Sequence, residues 1–286
     1  MYRNIVDGLI HDEKAVTAEM LKRRPHSRTL ALPEMTSLLM SPDSGQPLEL
    51  SADASSMTDG ANRYPVVHGS PVLYPEFVSG AFSGSASGME LKYYDDSRLQ
   101  YFLLSQIKQH GDVNAPSTDV HYERHLFRIS EFVQDCGGLV LDVGCDDVTI
   151  GASLMPAQCR YIGIDPFLRN EQVRVVGVGE FLPFKSESVD HVLFNTSLDH
   201  VFDYHKALDE AFRVVQPGGT VIIASLVWWD VDRSTLLSDS VHFHHFRDYE
   251  IDGAARARGI IEKVADYAYK DSTHRYSRYM SVRKGR

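Results

Sequence analysis

Cysteine is scarce in this chain. Its three cysteines, Cys136, Cys145 and Cys159, sit close together in the middle. An odd, sparse set builds no disulfide framework and points to a reducing compartment. None precedes Cys136, so the N-terminal part lacks the thiolates of a structural zinc site. Long apolar runs are also missing. No stretch approaches the roughly twenty residues of a membrane span. The opening MYRNIVDGLIHDEKAV carries early acids and no apolar core, unlike a secretory signal. A cytoplasmic protein is the expectation. Positive charge is in deficit: the formal net charge is −10 and the pI about 5.7. That balance disfavours a phosphate backbone as partner, so no nucleic acid is expected. Internal repeats and long low-complexity tracts are absent as well.

What is present suits a globular protein. The 286 residues suffice for one large domain, or a medium one plus a small one. Residues 1–90 hold short apolar runs broken by Pro, Gly, Ser and Asp, as in SPDSGQPLEL (Ser41–Leu50) and RYPVVHGSPVLYP (Arg63–Pro75). This reads as a small β-rich domain of hairpins, with Ser79–Gly88 as a linker. Leu91 to about His110 turns helical, with Leu99, Phe102, Leu103 and Ile107 on one face. A loop follows, then a helix from about Val120 to Cys136.

Beyond it the chain alternates. Strands are expected at Gly138–Val143, Arg160–Ile164, Gln172–Val176, Ser188–Asn195 and Thr220–Leu226, with a clear helix over Tyr204–Val215. Gln216–Gly219 (QPGG) stops that helix. Alternation of this kind means an α/β fold: a Rossmann-like, doubly wound, mostly parallel sheet with helices on both faces. Ile260–Tyr269 and Tyr276–Val282, rich in aromatic and β-branched residues, are expected to form a terminal antiparallel hairpin at its edge.

Two acids mark the chemistry. LVLDVGCDD (Leu139–Asp147) is a buried strand ending in an acid and a glycine turn, and RYIGID (Arg160–Asp165) ends in a second acid about twenty residues on. A glycine turn lets backbone approach a ligand, and a strand-end carboxylate accepts two ribose hydroxyls. The loop carries Asp146 and Asp147 where more glycine is usual.

Four spaced segments then resemble one family. LVLDVGC, YIGID (Tyr161–Asp165), GEFLPFKSESVDHVLFNTSLDHV (Gly179–Val201) and ALDEAFRVVQPGGTVIIAS (Ala207–Ser225) look like class I S-adenosylmethionine-dependent methyltransferases of the small-molecule, quinone-biosynthesis type. The resemblance spans about Tyr122 to Arg283 and defines a second domain, 91–286, with the helical region before it as a cap. It implies S-adenosylmethionine as cofactor, S-adenosylhomocysteine as product, no metal, and a small-molecule acceptor. The cofactor-binding positions it implies are Asp142, Gly144, Cys145, Asp165, Pro166, Gly179, Glu180, Phe181 and Asn195. Gly144 passes under the methionine part. Asp142 orients the loop or the amino group. Asp165 binds the ribose, although an acid before Pro166 also reads as a helix N-cap. Gly179, Glu180 and Phe181 pack the adenine, with a solvated acid as the alternative for Glu180. Asn195 faces the transferred methyl or simply ends its strand. His200 is the catalytic candidate, a base for an acceptor that must lose a proton; a packing or capping histidine is the alternative.

The sequence departs from that pattern in two places. The loop reads DVGCDDV, with Asp146 and Val148 in place of the last two glycines. Asp tolerates left-handed backbone and Val does not, so the following helix should begin early, capped by Asp146 or Asp147. An added carboxylate could face the cofactor's ammonium or repel its carboxylate. Val178 stands where the family often has an acid for the adenine amino group.

The N-terminal region resembles a small zinc-ribbon-like domain that accompanies or activates some methyltransferases. Ser41-Pro42-Asp43-Ser44-Gly45 stands for its C-P-x-C-G, and Tyr64–Leu73 for its closing Y-P-I-x-x-G-I-P-x-L. Serines at both cysteine positions imply a metal-free remnant. Its expected work is packing on the larger domain, covering a substrate entrance, or a contact with a second copy or another protein.

Other motifs have plainer readings. VHFHHF (Val241–Phe246) reads as loop and pocket lining before metal. Trp228 and Trp229 read as packing or an apolar acceptor wall, Arg23–Arg28 (RRPHSR) as a solvated segment, and Tyr122 as a cofactor contact or core residue. The function implied is methyl transfer to a sugar, lipid-linked precursor or secondary metabolite, on oxygen by preference. The main rival is a non-catalytic methyltransferase fold that stabilises another enzyme. A nicotinamide dehydrogenase is disfavoured, because no third glycine seats a pyrophosphate.

Overall fold

The computed structural model describes residues 27–75, 82–83, 90–91, 120–168, 172–228, 242–268 and 275–285. The expected helix after Leu91, most of the linker, and Trp229 lie outside them, as does the side chain of Tyr122.

In chain order the elements begin with β1 (Arg28–Thr29), α1 (Leu32–Met35), β2 (Glu49–Leu50), β3 (Ser56–Thr58), β4 (Arg63–Val67) and β5 (Ser70–Pro71). Next come β6 (Phe82–Ser83), β7 (Glu90–Leu91), α2 (Val120–Val133), β8 (Gly138–Val143), α3 (Val148–Leu154), β9 (Cys159–Asp165), β10 (Val175–Val176) and β11 (Val189–Asn195). The series ends with α4 (Tyr204–Val214), β12 (Val215–Trp228), α5 (Asp248–Arg256), β13 (Ile260–Ala268) and β14 (Arg275–Arg283). The central sheet has the order β1-β9-β8-β11-β12-β14-β13, with β10 also on β9. Strands β1 and β8 to β12 run parallel, while β14 and β13 form the expected antiparallel hairpin.

Strand alternation divides the core between the two faces. Leu139, Leu141, Val143, Ile162, Ile164, Val192, Phe194, Val221 and Ile223 pack on one side with Ala207, Leu208 and Ala211 of α4. Val140, Tyr161, Leu193, Ile222 and Ala224 pack on the other with Leu126, Ile129 and Val133 of α2. Apolar burial on both faces is why these strands read as continuous runs rather than alternating ones.

Three boundaries differ from expectation. The helix α2 ends at Val133, and the Cys136 amide closes a turn onto the Val133 carbonyl at 3.0 Å. The third strand shrinks to Val175–Val176; ahead of it, Gln172 and Arg174 bond the glycine loop through their side chains. QPGG ends α4 but does not break β12, which already starts at Val215. Gly219 allows this: a Cβ there would lie 2.4 Å from the Asp190 carbonyl oxygen.

The N-terminal unit is a separate antiparallel sheet, β2-β3-β4-β5. At the two cysteine positions of the resembled domain, hydrogen bonds hold the turn. Ser41 Oγ lies 2.7 Å from the Tyr64 hydroxyl, which donates to Asp43 at 2.7 Å, and Ser44 Oγ donates to Asp59 at 2.5 Å. The unit shares a core with one face of the main sheet through Met35, Leu39, Met57 and Leu73. Backbone bonds fix the docking: Met40 donates to Pro183, Lys185 to Leu38, and Leu73 to Val176.

Candidate functional site

Parallel strands bring their C-terminal ends to one edge, where open α/β sheets bind ligands. Here that edge collects Gly144 after β8, Asp165 at the end of β9, Asn195 at the end of β11 and Trp228 at the end of β12. The glycine loop solves its missing glycines locally. Gly144 has φ +76° and Asp146 φ +43°, so an aspartate takes the left-handed position. Asp147 caps α3, accepting from the Thr149 and Ile150 amides at 2.8 and 3.3 Å, and Val148 opens the helix. Behind the loop, fully buried Arg174 donates to the Asp146 carbonyl at 2.6 Å and to Gln172. Gln172 in turn accepts from the Val148 amide at 3.0 Å and donates to Asp147 at 2.8 Å. A charged residue inside the apolar run VRVV was the signal for this brace, and sequence reasoning missed it.

Asp165 and the loop are joined directly. The amides of Gly144 and Cys145 donate to the Ile164 carbonyl at 2.8 and 3.2 Å. Asp165 accepts from the Asp146 amide on one oxygen and the Phe167 amide on the other, both at 2.9 Å. Each oxygen therefore keeps acceptor capacity for a further donor. Burial raises its pKa; the backbone bonds and Arg174 oppose the shift. A strand-end carboxylate beside a left-handed glycine turn fits the diol of a nucleoside.

The other predicted positions divide. Gly144 packs tightly, since a Cβ there would meet Ser197 Cβ at 2.4 Å. Cys145 turns inward: its sulfur would lie 2.6 Å from a Cβ on Gly163, and burial drives its thiol pKa well up. Asp142 lies beneath α3, accepting the Tyr161 hydroxyl at 2.6 Å, while its Oδ1 is buried with no hydrogen-bond partner. Burial, then the charge of Asp165, pushes its pKa up to about 7. The Pro166 carbonyl accepts from the Tyr74 hydroxyl. Gly179, Glu180 and Phe181 form a 3-10 turn after β10. Gly179 packs against Val143, and Lys206 Nζ sits 3.5 Å over the Phe181 ring. Glu180 is buried and accepts from the amides of Phe202 and Asp203 at 2.7 and 3.1 Å; burial raises its pKa.

Around the ends of β11 and β12 the polar groups cluster. Asn195 Oδ1 pairs with His125 Nε2 at 2.5 Å, and His125 Nδ1 with the Tyr279 hydroxyl at 2.8 Å. His125 is buried, which lowers its pKa, and it comes from α2. His200 ends a 3-10 turn, its ring 4.8 Å from that of His242. His242 stands edge-on to Trp228 at 6.1 Å and 3.9 Å from the Asp199 carboxylate. Asp199 is fully buried with neither oxygen hydrogen-bonded, and Ser225 Oγ, Trp228 Nε1 and His244 Nε2 are buried without partners too. Unsatisfied buried polar groups are costly, and here they gather around the ends of β11 and β12. Asp199 lies inside the SLDHV segment, where nothing in the residue pattern prefers it over His200. Among the described residues, no cluster of three or more His, Cys, Asp or Glu side chains has metal-binding geometry.

Residues 141–223 match the family model described as a methyltransferase domain. An uncharacterised methyltransferase of Mycobacterium leprae is 30% identical over 103 residues, covering 32% of this chain and 38% of the relative. One from Mycobacteroides abscessus is 30% identical over 123 residues, covering 38% and 48%. The chain thus spans less than half the length of these relatives. Among solved structures, the [4+2]-cyclase SpnF superposes with TM-score 0.50 at 14% identity, covering 66% of this chain and 93% of that one. A Burkholderia thailandensis 1,6-didemethyltoxoflavin N1-methyltransferase, solved with S-adenosylhomocysteine, gives TM-score 0.49 at 18% identity over 66% and 88%. At such identities the likeness to solved structures is one of fold. The family match runs from within β8 to within β12, the stretch that carries Gly144, Asp165 and Asn195.

Proposed function

We propose that this protein binds S-adenosylmethionine at the C-terminal ends of β8 and β9 and methylates a small or medium acceptor, on oxygen by preference. The observation that carries the reading is Asp165: a buried strand-end carboxylate, held by two loop amides, on the sheet edge where the glycine turn arrives. When bound, the cofactor supplies an activated methyl group on a sulfonium. The chain's own work is to bind, align and exclude water. Asp165 accepts the ribose hydroxyls. Gly144 and the loop it turns carry the methionine part, and Pro166, Gly179 and Phe181 border the adenine. Asn195, fixed by His125, and His200, against His242, border the acceptor; His200 takes the proton of an acceptor hydroxyl. A sugar, a lipid-linked precursor or a secondary metabolite fits this scheme.

The N-terminal unit is a metal-free zinc-ribbon-like remnant whose serine, tyrosine and aspartate bonds occupy the place of the metal. Titration calorimetry with S-adenosylmethionine and S-adenosylhomocysteine tests the central reading. Binding that weakens about a hundredfold in Asp165→Ala supports it, since two charge-assisted hydrogen bonds are lost. No heat at millimolar ligand refutes it.

A further inference from the structure

The N-terminal unit touches the segment that braces the glycine loop. Between β4 and β5 the chain turns at His68 and Gly69, with φ +50° and +77°. A Cβ on Gly69 would lie 3.3 Å from Val173 Cγ2, so the turn sits close against the residues before β10. Ser70, fully buried, clamps them on both sides. Its hydroxyl donates to the Gln172 carbonyl and accepts from the Arg174 amide, each at 3.2 Å. Gln172 and Arg174 are the residues whose side chains bond the loop. One path of hydrogen bonds thus runs from Ser70 through Gln172 and Arg174 to Asp146, Asp147 and Val148. It continues from the Asp146 amide to the Asp165 carboxylate.

Arg174 is the charged member of that path. It is 0% exposed, and its side chain bonds neutral groups: the Asp146 carbonyl at 2.6 Å, the Gln172 side-chain oxygen, and the Cys145 sulfur at 3.8 Å. Its Nε has no hydrogen-bond partner. Among the described residues, no carboxylate bonds this guanidinium. A buried charge without a bound counter-ion is costly, and an apolar side chain would fill the same space at lower cost. Packing alone therefore gives no reason for an arginine. The charges around Asp165 do. Asp142 of β8, Asp146 and Cys145 of the loop and Tyr74 of the N-terminal unit face it, and all are acidic or neutral. Burial and the charge of Asp146 favour a proton on Asp165; two backbone bonds and the charge of Arg174 oppose it. The distinction matters for a diol, because only the ionised carboxylate offers both oxygens purely as acceptors.

We propose that Arg174 is a positioning residue for cofactor binding: it holds the aspartate turn of the loop, supplies the buried positive charge among the acids of the site, and is itself set in place by Ser70 of the N-terminal unit. This rests on the reading of Asp165 as the ribose acid. The brace stands in for the glycines the loop lacks, and its charge offsets the acids that replaced them. The N-terminal unit then acts on cofactor affinity from behind the site, without touching the ligand.

Calorimetry on the full chain tests this, with S-adenosylhomocysteine and with adenosine, which carries no ionising group near neutral pH, titrated from about pH 8 to about pH 5. Binding needs ionised Asp165, so affinity falls as pH drops through its folded pKa. Arg174→Met should bind both ligands about tenfold more weakly at about pH 8, and its acid loss should begin at higher pH than in wild type. Arg174→Lys keeps the charge but not the fork; it should bind weakly at every pH with the acid loss where wild type has it. Arg174→Gln, which can still donate to the Asp146 carbonyl, reads the same displaced acid loss should the methionine variant fail to fold. Ser70→Ala should weaken both ligands about threefold. Wild-type affinity in folded Arg174→Met or Arg174→Gln overturns the proposal. So does a uniform loss with the acid limb unmoved, which a purely structural arginine would give, and unchanged affinity in Ser70→Ala refutes the link to the N-terminal unit. Absence of any heat in the unmodified protein removes the cofactor reading itself, and this inference with it.

Discussion

Asp142→Asn tests the electrostatics of the site most directly. One Asp142 oxygen accepts the Tyr161 hydroxyl and the other has no hydrogen-bond partner. Burial lifts the pKa from its ordinary 3.8 to about 7. Between those values the folded protein holds a proton that the unfolded chain has released. Stability from this group is therefore lost as pH rises through the window, and the loss is complete above the folded value. About three units at roughly 1.4 kcal/mol each set an upper bound near 4 kcal/mol. Asparagine does not titrate. Its carbonyl can accept the same hydroxyl, while its amide lacks a partner at every pH, costing about 1–3 kcal/mol. The variant should be the less stable protein at about pH 4 and gain on wild type by about 2–4 kcal/mol on going to about pH 8. Urea unfolding followed by circular dichroism at matched pH reads this, and subtraction cancels every other titrating group. A difference flat to within about 0.5 kcal/mol over that range would refute the buried-carboxylate argument.

Other substitutions have different signatures. Gly144→Ala forces a Cβ to 2.4 Å from Ser197 Cβ at a left-handed φ. It should cost about 1–3 kcal/mol in denaturant titration and weaken S-adenosylhomocysteine binding in calorimetry. Glu180→Ala strands the amides of Phe202 and Asp203 and should cost about 1–3 kcal/mol, read by thermal unfolding, with a hydrogen-exchange change confined to the start of α4. Elemental analysis of the purified protein should find only substoichiometric zinc, since serines replace the thiolates in the N-terminal turn.

Much of this was legible in the order of residues. Buried parallel strands need continuous apolar runs, so Leu139–Val143, Val192–Phe194 and Val221–Ala224 announced themselves, and glycine and acid at fixed offsets placed Gly144 and Asp165. Aspartate's tolerance of left-handed backbone and its capping chemistry anticipated how Asp146 and Asp147 replace glycine. These are local properties, settled within a few residues. The remainder depends on contacts made across the chain. Arg174 braces a loop nearly thirty residues away, His125 meets Asn195 and Tyr279 from three separate elements, and Tyr74 reaches the Pro166 carbonyl where an N-terminal segment bridges a two-residue strand. Periodicity and spacing carry no record of such pairings. Residue order alone settles the sheet, its turn and its acid. Which buried polar groups those elements satisfy, and which they leave without a partner, is settled by packing, because hydrogen bonding and desolvation depend on neighbours that only folding supplies.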